Sequence, residues 1–143
     1  MKANFKVIHI GGFIKKRLDE LALSEDRVLN FFDCTSEDLT QMFESSSLDT
    51  EVVLKWSKLL EYDFFRIYTQ HLILYAPPSS EEESASKEVK SMMPQFRKNI
   101  YTKELIEFIL EMINSGEKSK TEVINDYRIP KTTLYKWIEK YKS

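Results

Sequence analysis

A chain of 143 residues with 42% hydrophobic and 31% charged residues has the makeup of an ordinary globular protein, one domain or two very small ones. Three glycines and four prolines leave little for the tight turns of a sandwich or barrel, and a single cysteine, Cys34, excludes a disulfide framework and any zinc site built from cysteine pairs. The net charge of −2 hides a gradient: residues 1–76 carry 9 Lys and Arg against 12 Asp and Glu, 77–95 carry 2 against 4, and 96–143 carry 10 against 7, so the C-terminal end is the one suited to phosphates.

The opening MKANFKVIHIGG lacks the apolar stretch of a secretory signal, and no apolar run approaches the length of a bilayer span. A cytoplasmic protein with no membrane partner is expected. Behind Gly11 and Gly12, Ile14, Leu18 and Leu21 recur at helical spacing. Val28, Leu29 and Phe32 mark a second short helix after Ser24, and a third starts near Ser36. Val53, Trp56, Leu60 and Phe64 share one face of a fourth, with Asp49 or Thr50 as its cap, and Ile67 to Tyr75 closes the bundle.

The stretch Pro77 to Ser91, PPSSEEESASKEVKS, has almost no large apolar side chain to offset its ordering entropy and reads as an exposed linker. Its second half, from about Ser84, has the Ala, Lys and Glu content of a solvated helix as the alternative. Downstream, Leu105, Ile106, Ile109, Leu110 and Ile113 form an apolar helix face that ends at Ser115 and Gly116, where glycine suits the left-handed position after a helix. Ser119 and Glu122 have the spacing of a capping box, and Pro130 fits the first turn of a last helix running to about Tyr141. The expected architecture is therefore all-α: two small helical modules, 1–76 and 96–143, each with a helix-turn-helix, joined by a polar linker at 77–95.

The two modules superpose in sequence at a constant shift of 95 residues. Val28, Leu29, Phe32, Cys34, Leu39, Met42 and Phe43 fall on Val123, Ile124, Tyr127, Ile129, Leu134, Trp137 and Ile138. Two short helices joined by a tight turn must share one small core, which demands this spacing and leaves the outward face of the second helix free for a major groove. In the first module that face reads Ser36, Glu37, Asp38, Thr40, Gln41 and Glu44, an acidic set that phosphates would repel. In the second it reads Lys131, Thr132, Thr133, Tyr135, Lys136 and Glu139. Lysines suit phosphate or guanine, threonines suit bases or phosphates, and the tyrosine suits a sugar or a thymine methyl.

These residues carry two family resemblances. Residues from about Ile10 to Tyr68, with Gly11 and Ile14-Lys15 in the first helix, Leu39 in the packing of the third, and Leu54 to Phe64 as the fourth and its exit, resemble a Cro/repressor-type (Xre-like) domain. Residues from about Tyr101 to Lys142, with Gly116-Glu117-x-Ser119, Ile129-Pro130 and Thr133-Leu134-x-x-Trp137, resemble the helix-turn-helix of insertion-sequence transposases, as in mobile-element-associated proteins of the Bacteroidetes type. The first module departs from its family in placing Leu29 and Asp33 where a small residue and a turn glycine are usual.

The resemblances imply a sequence-specific double-stranded DNA-binding protein, a transcriptional or mobile-element regulator without catalytic activity. Its DNA contacts would be Lys131, Thr132, Thr133, Tyr135, Lys136 and Lys140, and its N-terminal domain would make it a homo-oligomer through Phe64, Phe65, Tyr68 and Leu72. The competing expectation, favoured by the weak positive charge, is a helical adaptor that binds proteins and not DNA. Neither His9 nor His71 has a neighbour at catalytic spacing, no metal or other cofactor is expected, and no segment is left for a transposase catalytic domain. Trp56 and Trp137 are expected in the core, and Cys34 as an inert thiol in the turn.

Overall fold

The computed structural model describes residues 4–76, 92–94 and 100–142, so most of the expected linker, Pro77 to Ser91 included, lies outside the described residues. The described residues are helical with no strand, and none of their helices is long and apolar enough to cross a membrane. The chain divides into two compact units, Lys6–Tyr68 and a second made of Met1–Phe5 with Thr69–Ser143.

The N-terminal unit is built from α1 (Ile10–Leu21), α2 (Glu25–Phe32), α3 (Ser36–Glu44), α4 (Thr50–Leu59) and the start of α5 (Phe65–Tyr75). Helix α1 begins at Ile10, four residues before Ile14 where the expected apolar repeat starts, because His9 caps it. The His9 Nδ1 accepts from the Gly12 amide at 3.0 Å, which leaves Nε2 to donate to the Glu44 carbonyl at 3.2 Å. Ser24 caps α2, and Thr35 with Asp38 forms a reciprocal capping box on α3. Asp49 stands at the N-cap of α4 without a side-chain hydrogen bond to the helix.

Gly11 is what lets α1 lie against α3. A Cβ there would sit 2.2 Å from the Met42 carbonyl oxygen and 2.5 Å from that of Phe43, both backbone atoms, and the amides of Ile10 and Gly11 instead donate to the carbonyls of Ser46 and Ser45. Around this contact Ile10, Ile14, Leu18, Val28, Leu39, Val53, Trp56, Leu60, Phe64 and Ile67 form one core, each large side chain contributing about 1.5–3 kcal/mol by burial. Trp56 is fully enclosed, with Phe32 and Phe43 rings at 4.5 and 6.0 Å.

The C-terminal unit holds the rest of α5 with α6 (Lys103–Asn114), α7 (Lys120–Tyr127) and α8 (Lys131–Lys140). Its core joins Leu105, Ile106, Ile109, Met112, Val123, Tyr127, Ile129, Leu134 and Trp137 to three residues from outside the expected 96–143 module: Phe5, Ile73 and Leu74. The Phe5 ring meets Phe108 edge to face at 6.0 Å, and its carbonyl accepts from His71 Nδ1 at 2.6 Å. Gln70, 1% exposed, donates to the Ile100 carbonyl at 2.8 Å and accepts from the Thr102 amide at 3.1 Å, while the Thr102 hydroxyl caps α6 at Leu105.

The structure thus corrects the expected self-association surface. Phe64 lies in the N-terminal core at 1% exposure, and Leu72 belongs to the C-terminal unit, leaving half-buried Phe65 and Tyr68 as the N-terminal unit's share. The last helix of the bundle starts at Phe65, two residues before the expected Ile67, because the Asp63 carboxylate accepts from the Phe65 amide at 3.1 Å and anchors its first turn.

Candidate nucleic-acid interface

The C-terminal helix pair is set by its caps and its turn. Ser119 Oγ accepts from the Glu122 amide at 3.1 Å and Glu122 Oε2 accepts from the Ser119 amide at 3.1 Å, starting α7 at Lys120. Arg128 ends α7 in the left-handed conformation (φ 52°), Ile129 turns into the core, and Pro130 (φ −56°) stands one place before the first residue of α8. Pro130 is therefore the N-cap rather than a residue of the first turn. Its fixed φ and missing N–H cost nothing at that place.

Along α8, Leu134 and Trp137 are buried and Ile138 half-buried, with the Tyr101 ring edge-on to Trp137 at 4.9 Å. The outward stripe runs through Thr132, Lys136 and Glu139 at i, i+4 and i+7, all exposed, flanked by Tyr135 and Lys140. Lys131, in the first turn, is exposed, and Thr133 is half-buried on the opposite flank. All six expected contact residues thus belong to one ten-residue helix, with five of them exposed and Thr133 partly withdrawn. Helix α8 carries one acid, Glu139, and none in its first turn, so the positive end of its dipole is uncompensated.

Sequence reasoning missed Lys120. It opens α7, yet its ammonium lies 5.5 Å from the centre of the Tyr135 ring, and Lys131 approaches the same ring at 5.7 Å. Among the described residues neither ammonium has a carboxylate within ion-pair distance. The only available signal was positional: Lys120 follows the Ser119 cap and falls on Glu25 at the 95-residue shift. Lys118 is different. Its hydrogen bond to Asp126, 2.6 Å long, holds its ammonium above the ordinary lysine range and fixes it beside that carboxylate.

The N-terminal unit repeats the frame with the opposite charge. Helix α2 spans Glu25–Phe32 and α7 spans Lys120–Tyr127, α3 starts at Ser36 and α8 at Lys131, and both three-residue turns open on a left-handed residue, Asp33 (φ 51°) or Arg128. Both pairs therefore begin at the 95-residue shift read from apolar spacing. Aspartate tolerates the left-handed region better than most residues, so Asp33 does the work of the usual turn glycine. The deeper positions correspond, with Val28 and Val123, Leu39 and Leu134 all buried, whereas Cys34 is half-buried where Ile129 is enclosed. Burial first, then the carboxylates of Asp38 and Asp33, push the Cys34 thiol up. The outward residues of α3 are Glu37, Asp38, Gln41 and Glu44, and no group of His, Cys, Asp and Glu among the described residues is arranged to hold a metal ion.

Compared with known proteins, the chain matches no family model, no curated protein and no solved structure.

Proposed function

We propose that the chain is a sequence-specific double-stranded DNA-binding protein, a transcriptional or mobile-element regulator without catalytic activity, whose α8 enters the major groove. The observation that carries the reading is the division of α8 into two faces. Leu134 and Trp137 hold it to its unit, while Lys131, Thr132, Tyr135, Lys136 and Lys140 stay exposed. A major groove admits one helix of this kind, and bases are read by the donors and acceptors that it presents.

The second reading, a protein-binding adaptor, is favoured for the N-terminal unit by its α3. The same helix-turn-helix frame there offers Glu37, Asp38 and Glu44, which phosphates repel. Under the leading proposal that unit binds a protein or a second copy of the chain, and pairing of two heads supplies the contacts that one small module lacks.

The test is a selection of bound duplexes from random DNA by the full-length protein, followed by Lys131→Ala/Lys136→Ala in the same chain. Enrichment of one motif, lost affinity of at least about tenfold in the double variant and an unchanged melting curve are expected, since each good contact carries about 1–3 kcal/mol. Failure of the full-length chain to enrich any sequence, together with passage through heparin at low salt, leaves the adaptor.

A further inference from the structure

We infer that Lys120, Tyr135 and Lys131 form a clamp for a single phosphodiester of the DNA backbone, with the Tyr135 ring as its organiser and not as a reader of bases. The inference rests on the DNA-binding reading above and deepens it. Two ammoniums from two helices stand 5.5 and 5.7 Å from the centre of one ring that is 43% exposed. Each ammonium is drawn to the electron-rich ring, and among the described residues no carboxylate pairs with either. A bridging anion of one negative charge is the missing counterpart, and a backbone phosphate on the DNA surface that α8 faces supplies it.

The N-terminal unit provides an internal contrast. The positions of Lys120, Lys131 and Tyr135 are held there by Glu25, Ser36 and Thr40. The Ser36 hydroxyl donates to the Glu25 carboxylate at 2.8 Å, so the same frame brings the first residues of its two helices together in both units. In one unit the juxtaposition satisfies itself with a hydroxyl and a carboxylate. In the other it sets two exposed cations about one aromatic ring.

The experiment measures affinity of the full-length protein for its selected duplex between 50 and 200 mM salt. One lost phosphate contact lowers the log–log slope by about 0.9, so Lys120→Ala/Lys131→Ala, which empties the clamp, should shrink the fourfold-salt loss of affinity by about threefold, while either single variant, leaving one ammonium on the phosphate, should shrink it by less. Tyr135→Leu should weaken binding without altering the order of preferred sequences, and its effect should shrink in a Lys120→Ala background because both variants dismantle one clamp. An unchanged slope in Lys120→Ala/Lys131→Ala, or a changed base preference in Tyr135→Leu, overturns the clamp while leaving DNA binding standing. Absence of DNA binding by the parent overturns both.

Discussion

Two glycines illustrate how differently one residue type is used. Gly11 is required by a neighbour, since the carbonyl oxygens of Met42 and Phe43 occupy the space a Cβ would need and neither can swing away as a side chain does. Gly116 is required by its own backbone, at φ +82°, with nothing within 4 Å of the same construction. Gly11→Ala should therefore cost about 3 kcal/mol by forcing α1 off α3. Gly116→Ala should cost about 1–2 kcal/mol of left-handed strain alone. Thermal unfolding of both variants checks the order, and a Gly116 variant less stable than the Gly11 variant would reverse the account. Gly116 was legible in the sequence because helix ends demand left-handed residues. The need for Gly11 was not, because it depends on a carbonyl thirty-odd residues away, which no local pattern encodes.

Among elements, caps and apolar spacing carried most of the information. Ser24, Ser119 with Glu122, and the periodic face of α6 sit where the sequence predicts them, because each depends on contacts within a few residues, whereas α4 ends at Leu59, leaving Leu60 at its C-cap and Phe64 beyond the helix whose face it was expected to share. Helix α5 was legible as a helix and illegible as a shared one. Ile67 packs in the N-terminal core while Ile73 and Leu74 pack in the C-terminal core, and hydrophobicity does not say which core a residue joins. Gln70 has no apolar signal at all, yet it ties α5 to the start of α6 through Ile100 and Thr102. Gln70→Leu would take away the part-buried partner of that carbonyl and amide, which should cost about 1–2 kcal/mol. Denaturant unfolding of the full-length variant measures it, and a midpoint equal to the parent's would mean that the bonds contribute nothing.

At the scale of the whole chain, the division into units follows packing and not the composition break at Pro77. The expected linker lies mostly outside the described residues, and the C-terminal core recruits Phe5, Ile73 and Leu74 from before it. A 96–143 fragment therefore lacks three enclosed apolar side chains, each contributing about 1.5–3 kcal/mol, from a unit with little stability to spare. It should show no cooperative melt by circular dichroism under conditions in which the full chain does. A sharp, parent-like transition in the fragment would show the N-terminal contribution to be dispensable. The candidate site itself was legible along α8, where charge and helical period suffice, and incomplete at Lys120, whose partnership with Tyr135 crosses from one helix to the next.

The bond between Phe5 and His71 makes the chain leave the C-terminal unit and re-enter it at one spot. In that sense residues Lys6–Tyr68 are spliced into their host as a cassette, their two ends delivered side by side. The second junction falls inside α5, whose residues Phe65 to Tyr68 belong to the cassette and Thr69 to Tyr75 to the host, so exchanging or deleting the cassette must rebuild the start of a helix that the host core uses.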